Sequence, residues 1–269
     1  MIEMNLPKRA YLSFRARVIR PLTQKHYRST KCGRRIASYR NRFAGRRCFF
    51  IGNGPSLKAD DLTRLRERGE ICFAFNRIYN IFDSTTWRPD FYISQDEKML
   101  AGCAETVSRT ELGEKFIPIN LKWYFDIDVD NACWFMMKTP REEDGKPLEF
   151  SDDPAQIVYN AATGMYTAAQ LAAYMGFTEI YLIGVDHHFR VSQNNKGEIV
   201  VDKDAKDYFT EKYNEDRDKL FIPNTERSTL TYAAMKEQCE KRGIKLFNAT
   251  RGGKLEVLER VDLDRLLNG

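Results

Sequence analysis

The residues best suited to chemistry follow short apolar runs, where a strand would end. The turn Gly52–Ser56 (Gly-Asn-Gly-Pro-Ser) directly follows the apolar run Cys48–Ile51. Glycines permit positive φ and let backbone N–H groups approach a phosphate, and Ser56 could cap the next helix. The segment has neither the Gly-Lys-Ser/Thr of a Walker loop nor the Gly-x-Gly-x-x-Gly spacing. We predict a phosphate or nucleotide site here, with a purely structural turn as the alternative.

Polar residues also follow the next two apolar runs. Asn76 comes after Ile71–Phe75, and the triplet Ser94-Gln95-Asp96 ends the run that begins at Phe91. The carboxyl ends of parallel strands meet at one edge of a sheet, so we expect these side chains in the same crevice as the first turn. An asparagine amide offers both a donor and an acceptor to a ribose or a base. The alternative is that each is a helix cap or a turn residue.

The strongest helix pattern of the chain begins beside Thr163 and Gly164. The segment Thr163–Met175 is rich in Ala, Leu and Met, and Gly176 follows it as a C-terminal cap. Thr163 can serve as the N-cap, and free N–H groups of the first turn can hold a second phosphate or a carboxylate. An ordinary N-cap is the alternative interpretation.

Two of the three histidines, His187 and His188, lie together after the apolar run Glu179–Ile183, in the sequence Gly184-Val-Asp186-His-His. Histidine can exchange protons near neutral pH, so both are candidates for catalysis or for contact with a leaving phosphate. A metal site is disfavoured, because adjacent side chains on extended backbone point apart and no third ligand is near. Asp186 could orient the turn rather than react.

The segment Asp126–Asp130 contains two Asp-x-Asp patterns. In many sugar transferases this pattern binds the divalent metal on a nucleotide diphosphate. Alternating acids also describe the polar face of an edge strand with Ile127 and Val129 inward, and we favour that interpretation. We therefore predict no metal ligands here.

Apolar runs alternate with helical patterns from residue 47 onward, which predicts an α/β fold with a mostly parallel sheet and helices on both faces. The polar segment Pro140–Pro154 is a possible lid, and the irregular segment 191–223 is a second one. A long helix is expected over Thr225–Arg242. The strands predicted after the third are Lys115–Ile119, Cys133–Met137, Glu179–Ile183 and Ile244–Phe247.

The charge is unevenly distributed along the 269 residues. Residues 1–47 hold 14 Lys and Arg against one acidic residue, a net charge of +13, whereas the rest holds 29 basic and 37 acidic residues, a net charge of −8. We predict a basic arm over residues 1–46 and a catalytic domain over residues 47–269. Tyr11, Phe14 and Val18 share one helical face of this arm, which suits an anionic membrane surface. A solvated tail is the alternative, and nucleic acid is disfavoured because no reading module is evident.

The six cysteines form no Cys-x-x-Cys pair, and no apolar run approaches the length of a membrane span. We expect free thiols and a reducing, cytoplasmic location.

The ordered set of motifs resembles a known family. Gly52–Lys58 after a strand, Asn76, the helix start at Thr163 and the run Tyr181–Asp186 recur in this order in sequences of bacterial lipooligosaccharide sialyltransferases, which use CMP-sialic acid. The stretch Phe247–Glu256 is similar instead to the broader 6-hydroxymethylpterin diphosphokinase-like family. That family includes motility accessory factors that glycosylate flagellin.

The resemblance implies a Rossmann-like domain with a lid, a variant of the GT-A-like architecture. It assigns Gly52–Gly54 to the phosphate and ribose, and Asn76 and Ser94 to the donor sugar. It places His188 where those enzymes have a tyrosine against the leaving phosphate, and Glu226 where they have a histidine general base. With the strand-end argument, the donor site then comprises Gly52, Asn53, Gly54, Pro55, Ser56, Asn76, Ser94, Gln95, Asp96, Thr163, Gly164, Gly184 and Asp186, and the catalytic candidates are His187, His188 and Glu226.

The function implied is an inverting glycosyltransferase that moves a CMP-activated acidic sugar, sialic acid or a related nonulosonate, onto a glycan or lipid-linked acceptor. No cofactor is expected, because a CMP leaving group carries one phosphate. An ATP-dependent pterin diphosphokinase, which would need Mg²⁺, is one alternative. The other is a non-catalytic nucleotide-binding scaffold of a glycan assembly complex.

Overall fold

A computed structural model describes residues 20–210 and 221–268, together with Tyr11, Phe14, Arg17 and Val18. Most of the predicted basic arm before residue 20, and residues 211–220 of the predicted lid, lie outside the described residues.

Eight parallel strands form the central sheet, in the order β14-β13-β10-β1-β2-β3-β4-β5. This confirms the predicted α/β fold. Three two-stranded sheets, β6-β9, β7-β8 and β11-β12, lie outside it. The strands are β1 Arg47–Ile51, β2 Ile71–Phe75, β3 Phe91–Ile93, β4 Glu114–Pro118, β5 Cys133–Phe135, β6 Met137–Lys138, β7 Glu142–Glu143, β8 Lys146–Pro147, β9 Val158–Tyr159, β10 Glu179–Ile183, β11 Val191–Gln193, β12 Ile199–Val201, β13 Lys245–Asn248 and β14 Glu259–Arg260.

The order of the strands creates a switch point beside β1. From β1 the chain adds strands in one direction to β5, and it then returns to place β10, β13 and β14 on the other side of β1. The connections after β1 and β10 therefore leave the sheet in opposite directions. A crevice opens between such connections at the carboxyl ends of the strands, where α/β proteins bind ligands.

Helices cover both faces of the sheet because successive residues of each strand point to opposite sides. Cys48 and Phe50 of β1 join one core cluster, whereas Phe49 and Ile51 join the other. The described α-helices are α1 Arg20–His26, α2 Lys31–Ala37, α3 Ala59–Glu67, α4 Glu97–Arg109, α5 Ile119–Phe125, α6 Gly164–Met175, α7 Thr225–Glu240 and α8 Leu263–Asn268. The first cluster receives side chains of α2, α6 and α7, the second those of α3, α4 and α8, and α5 contributes to both.

Residues 27–46, which the sequence places in the basic arm, pack against the sheet. Tyr27 is 1% exposed and donates its hydroxyl to the Trp134 carbonyl, and Ile36 is fully buried in the first cluster. The backbone N–H of Asn41 donates to the Tyr174 carbonyl at 3.0 Å. Residues 27–46 therefore belong to the body of the fold, because their apolar side chains cover one face of the sheet. Sequence charge concealed this, since the basic side chains lie on the outer surface of the segment.

The segment Asp126–Asp130 is not the predicted edge strand. It is an irregular connection between α5 and β5, and Asp126 is the left-handed C-cap of α5 with φ of 58°. Ile127 and Val129 are buried, as the alternation of the sequence indicated. Pro118 is the N-cap of α5, so β4 ends one residue earlier than predicted. None of the described helices combines the length and apolar character needed to cross a membrane.

Candidate functional site

A cleft of about 550 Å³ opens at the switch point, between the connections that follow β1 and β10. Twelve of the sequence-predicted donor-site and catalytic residues line it, from the ends of four different strands and the start of α6. They are Gly52, Asn53, Gly54, Asn76, Gln95, Asp96, Thr163, Gly164, Gly184, Asp186, His187 and His188. Four predicted residues do not line it: Pro55, Ser56, Ser94 and Glu226.

The glycines of the first turn serve close packing rather than positive φ. The N–H of Gly52 donates to the Ile183 carbonyl at 2.8 Å, and that of Gly54 to the Gly184 carbonyl at 2.8 Å. A Cβ atom at Gly52 would lie 2.3 Å from the Gly184 carbonyl oxygen. Neither glycine has a positive φ. Two N–H groups that the sequence suggested for a phosphate are therefore already bonded to the end of β10.

Ser56 fixes the other end of the same turn. It is not the N-cap of the next helix, which is the role that the sequence predicted. Its hydroxyl donates to a carboxylate oxygen of Asp186 at 2.8 Å, while Lys58 occupies the N-cap position of α3. Burial raises the pKa of Asp186, and the hydrogen bond from Ser56 partly opposes that rise. Asp186 therefore orients the turn, which is the role that the sequence suggested for it.

Asparagine side chains line the cleft at the ends of β1, β2 and β9. Asn53 donates through Nδ2 to the Phe75 carbonyl at 3.0 Å, whereas its buried Oδ1 accepts no hydrogen bond from the described residues. Asn160 has a buried, unbonded Oδ1 as well. Buried polar atoms are seldom left unsatisfied, so both oxygens are candidates to accept from a ligand hydroxyl or amino group.

Ser94 is buried beneath Asn76 and does not line the cleft. Ser94 is 1% exposed, and its hydroxyl donates to Oδ1 of Asn76 at 3.2 Å. Asn76 itself has a left-handed backbone, with φ of 52°, which asparagine tolerates better than most residues. The hydrogen bond fixes the direction of the Asn76 amide.

The next two predicted residues connect strand β3 to helices. Gln95 donates to the Ala161 carbonyl at 3.2 Å and accepts from the Thr167 hydroxyl at 2.7 Å, which ties β3 to the start of α6. Asp96 is the N-cap of α4 and accepts from the Met99 N–H at 2.9 Å. Burial raises the pKa of Asp96. Both residues line the cleft, and both also have a structural role.

Helix α6 begins at the cleft, as predicted. Thr163 is the N-cap and its hydroxyl accepts from the Met165 N–H at 3.3 Å. Gly164 packs on Phe75, where a Cβ atom would still find ordinary contact at 3.4 Å. The partial positive charge of the helix N-terminus faces a site lined by both residues.

His187 has an unusual backbone and a fixed ring. Its φ is 53°, a region that few non-glycine residues adopt, and its Nε2 lies 2.7 Å from the Thr229 hydroxyl oxygen. The Thr229 hydroxyl also lies 2.9 Å from the Thr225 carbonyl oxygen, and when it donates its proton there it accepts from Nε2–H of His187. The Nδ1 atom then carries the lone pair. Burial lowers the pKa of His187 from 6.5, which keeps the ring neutral at pH 7.

His188 points to a different set of groups. Its Nε2 lies 2.7 Å from a carboxylate oxygen of Asp202, which follows β12, and 2.9 Å from the ammonium of Lys254. The two adjacent histidines therefore contact different elements: His187 contacts α7, and His188 contacts the residues that follow β12 and β13. The described residues contain no cluster of three or more His, Cys, Asp or Glu arranged to hold a metal ion.

Glu226 lies in the first turn of α7 with an exposed side chain, and its carboxylate accepts from the Asn195 N–H at 2.9 Å. The structure thus directs it toward the β11–β12 hairpin rather than into the cleft. Neighbouring residues of α7 take its place: Arg227, Ser228 and Tyr232 line the cleft. Residues 228 and 232 are four apart and therefore lie on one face of the helix, so the sequence already indicated that they could line the same surface.

The lid segments differ from each other. Residues of 191–223 line the cleft, including Gln193, Tyr208 and Phe221, and the Phe209 N–H donates to the Asn53 carbonyl at 3.1 Å. The segment Pro140–Pro154 does not line it. That segment contains the β7–β8 hairpin, which is bound to α7 through the ion pair of Glu142 with Arg227 at 2.7 Å.

The charges that line the cleft are mostly negative. Asp96, Glu97, Asp186 and Asp207 lie there, and Arg227, which is paired with Glu142, is the only lysine or arginine among the described lining residues. The acids of Asp126–Asp130 lie elsewhere; Asp128 pairs with Lys122 at 2.6 Å. To bind an anionic ligand, the cleft would need the Lys254 ammonium beside His188 in addition to the helix N-termini.

No protein-family model matches the sequence, and no curated protein matches it significantly. Among solved structures, the fold is similar to the MAf glycosyltransferase from Magnetospirillum magneticum AMB-1, with a TM-score of 0.48 and 16% identity over 87% of this chain and 38% of that one. It is also similar to a mammalian sialyltransferase, with a TM-score of 0.31 and 12% identity over 78% of this chain and 70% of that one. The chain thus spans well under half the length of the MAf protein. These similarities concern the fold.

Proposed function

We propose that the protein is an inverting glycosyltransferase that uses a CMP-activated acidic sugar, sialic acid or a related nonulosonate. The observation that carries this proposal is the geometry of His187 in the switch-point cleft. A half-buried, neutral imidazole with its Nε2–H bound to Thr229 and its Nδ1 unprotonated is prepared to accept a proton. Such a group suits the activation of an acceptor hydroxyl.

The proposed reaction is a single displacement. The acceptor oxygen forms a bond to the anomeric carbon of the sugar as the bond from that carbon to the phosphate oxygen of CMP breaks. The proton of the acceptor hydroxyl goes to Nδ1 of His187, and the electron pair leaves with CMP. The developing negative charge on the phosphate would be stabilised by His188, without a metal ion.

The choice of a CMP donor rests on the order of the sequence motifs, with two features of the cleft in support. The buried oxygens of Asn53 and Asn160 can accept from ribose hydroxyls or from an exocyclic amino group. CMP carries a single phosphate, which limits the negative charge that a mostly acidic cleft must accommodate. Asn76, fixed by Ser94, would contact the sugar.

The pterin diphosphokinase remains the second candidate because of one observation. Asp96, Glu97, Asp186 and Asp207 bring carboxylates to the cleft, and such a kinase would combine one or two of them with the phosphates of ATP to hold Mg²⁺, since the described residues contain no cluster of three or more. The Asp126–Asp130 acids, which the sequence offered for this role, are not among the lining residues. A non-catalytic scaffold would bind a nucleotide in the same cleft and would not depend on the imidazoles.

We propose further that the N-terminal region binds the anionic inner surface of a membrane, where a lipid-linked acceptor is found. Phe14, Val18 and Leu22 are 55%, 39% and 56% exposed, and they recur at helical spacing in a strongly basic segment. Exposed apolar side chains among basic ones suit anionic lipid. Co-sedimentation with phosphatidylglycerol vesicles should fall for Phe14→Ser with Leu22→Ser, and binding to phosphatidylcholine alone should be weak. Equal binding by the double variant and the native chain would contradict this location.

Donor hydrolysis tests the enzymatic proposal. Purified protein is incubated with CMP-sialic acid, UDP-glucose, GDP-mannose and ATP, with EDTA or with Mg²⁺, and release of nucleotide is measured. We expect hydrolysis of the CMP-sugar alone, at equal rates under both conditions. Turnover of Mg-ATP with a pterin would support the diphosphokinase, and no turnover of any donor would support the scaffold.

A further inference from the structure

We propose that Lys254 and His188 form the site for the donor phosphate, and that Asp202 occupies this site in the free protein. The inference rests on the proposed function and deepens it. It assigns a binding role to Lys254, and it assigns to Asp202 the role of a competing internal anion. The ligand class is a nucleoside monophosphate, free or as part of a nucleotide sugar.

Three chain segments bring these side chains together at the rim of the cleft. His188 follows β10, Lys254 follows β13 and Asp202 follows β12 of the hairpin in the lid segment. The Asp202 carboxylate oxygen lies 2.7 Å from Nε2 of His188 and 3.8 Å from Nζ of Lys254. The two nitrogen atoms are 2.9 Å apart. One anionic oxygen is therefore shared by two groups that can carry positive charge.

The loop before Lys254 is built for this close approach. Gly252 and Gly253 both have a positive φ, and a Cβ atom at Gly253 would lie 2.8 Å from the Asp186 carbonyl oxygen. The backbone N–H of Lys254 donates to that same carbonyl at 2.7 Å. The loop is thereby fixed to the segment that carries His188, which places the ammonium group beside the imidazole.

A single carboxylate does not satisfy both nitrogen atoms well. Nε2 of His188 carries at most one proton, so it cannot donate to Asp202 and also accept from Lys254. A phosphate offers three oxygens, and it could accept from Nε2–H and from the ammonium through different ones. Asp202 is also partly exposed, and ion pairs at the surface are weak. A phosphate is therefore able to displace it.

Displacement of Asp202 has a consequence for the lid segment. Among the described residues, the Asp202 carboxylate is bonded to the strand ends only through His188 and Lys254, while its other oxygen accepts from the Asp204 N–H at 3.1 Å. A bound phosphate would thus release one connection between the β11–β12 hairpin and the strand ends. Binding of the donor and the position of this hairpin would be coupled.

The test compares the binding of nucleoside monophosphates with that of the matching nucleosides, for all four bases, by calorimetry in EDTA. In the native protein we expect CMP to bind more tightly than cytidine. Lys254→Met should weaken CMP binding by about three- to tenfold, because the ammonium is partly exposed to solvent, and should leave cytidine unchanged. Asp202→Asn should strengthen CMP binding by about threefold at low salt, because a competing surface ion pair is removed.

Matched controls are available at charged residues outside this cluster. Lys245→Met removes an exposed lysine that pairs with Glu179 at 3.4 Å, and Asp204→Asn changes the acid two residues from Asp202. Neither should alter the ratio of CMP to cytidine affinity. The Asn side chain at position 202 keeps an oxygen that can accept from the Asp204 N–H, so the hairpin should remain folded.

The outcomes separate this inference from the proposed function. If CMP binds more tightly than cytidine and neither Lys254→Met nor Asp202→Asn changes the difference, the phosphate lies elsewhere and the inference is wrong, while the proposed function stands. If another nucleotide shows the predicted pattern, the phosphate site is supported and the CMP donor is not. If phosphate improves the binding of no nucleoside, both proposals are contradicted.

Discussion

The connections that follow β1 and β10 lie side by side, yet they differ in what they offer to a ligand. The turn after β1 is closed, because Gly52, Gly54 and Ser56 are bonded to the segment 183–186. The connection after β10 presents two imidazoles, one with a left-handed backbone. The glycine-rich turn thus gives a rigid wall, and the imidazoles that could exchange protons come from its neighbour. A motif that is prominent in a sequence is not necessarily the part that carries the chemistry.

The largest effect should come from the connection after β10. In His187→Ala the proposed proton acceptor is lost, and we expect the rate of sugar transfer to fall by about 10²- to 10⁴-fold, the usual contribution of a general base. Single-turnover transfer with saturating donor measures this directly. The affinity for CMP should remain within a factor of about three, since only the proton transfer is removed. Full activity in this variant would show that His187 has no role in catalysis.

The turn after β1 should respond through stability instead. Gly52→Ala places a Cβ atom 2.3 Å from a backbone carbonyl oxygen, and we expect a loss of about 3 kcal/mol in the free energy of unfolding. Urea denaturation followed by circular dichroism provides the measurement. Gly164→Ala is the matched control on the same cleft, because its Cβ atom meets only ordinary contact at 3.4 Å. Equal stability of the two variants would contradict the closed turn.

The pH dependence of the activity tests whether His187 accepts the proton. The unprotonated ring is the active form, so activity is lost as the pH falls through the pKa of His187, which burial holds below 6.5. The acid limb of kcat/KM should therefore have its midpoint below pH 6.5, with a loss of about tenfold per pH unit beneath it. Protonation of the buried ring should also lower stability in the same acidic range, because the unfolded chain binds the proton more tightly. A midpoint above 6.5 would assign the limb to another group.

A smaller effect is expected where the two connections meet. Ser56→Ala removes the hydroxyl that donates to Asp186, and we expect a loss of about 1 to 2 kcal/mol in the free energy of unfolding. The pKa of Asp186 should rise further, since this hydrogen bond lowers it. Ser38→Ala is the control, because its exposed hydroxyl donates only to the Arg35 carbonyl. Thermal unfolding at pH 7 compares the two variants.

The smallest expected effect is none at all. Asp126→Asn with Asp128→Asn changes two acids outside the cleft, so nucleotide binding and donor hydrolysis should equal those of the native protein, with or without Mg²⁺. Isothermal titration with CMP and with Mg-ATP checks this. If the double variant lost Mg-dependent binding of ATP, these acids would belong to the site, and the result would favour the diphosphokinase.

Much of the cleft floor could be predicted from the sequence because it depends on local order. Asn76, Gln95 and Asp186 each follow a short apolar run, and parallel strands bring their carboxyl ends to one edge. The same reasoning located Thr163 at the start of α6. The positions of these residues follow from the parallel sheet alone, without any further information on long-range packing.

The remaining parts depend on contacts between distant segments. The resemblance along the chain indicates Glu226 as a general base. In the structure, its carboxylate instead accepts from the Asn195 N–H, outside the cleft. The lining residues of the lid segment come from an irregular stretch with no periodicity, so nothing in the sequence distinguished Tyr208 or Phe221. Residues 27–46 were assigned to an arm because charge dominated the pattern, although Tyr27 and Ile36 are core residues.

The most direct test of the central claim is thermal stabilisation of the purified protein by CMP, UDP, GDP and ATP, each with Mg²⁺ and with EDTA. A ligand at about a hundred times its dissociation constant stabilises a protein by about 2.7 kcal/mol, which gives a clear shift in Tm. We predict a shift with CMP that is equal under both conditions and absent with ATP. A shift that requires Mg-ATP, with none from CMP, would contradict the assignment of this cleft to a CMP-sugar donor.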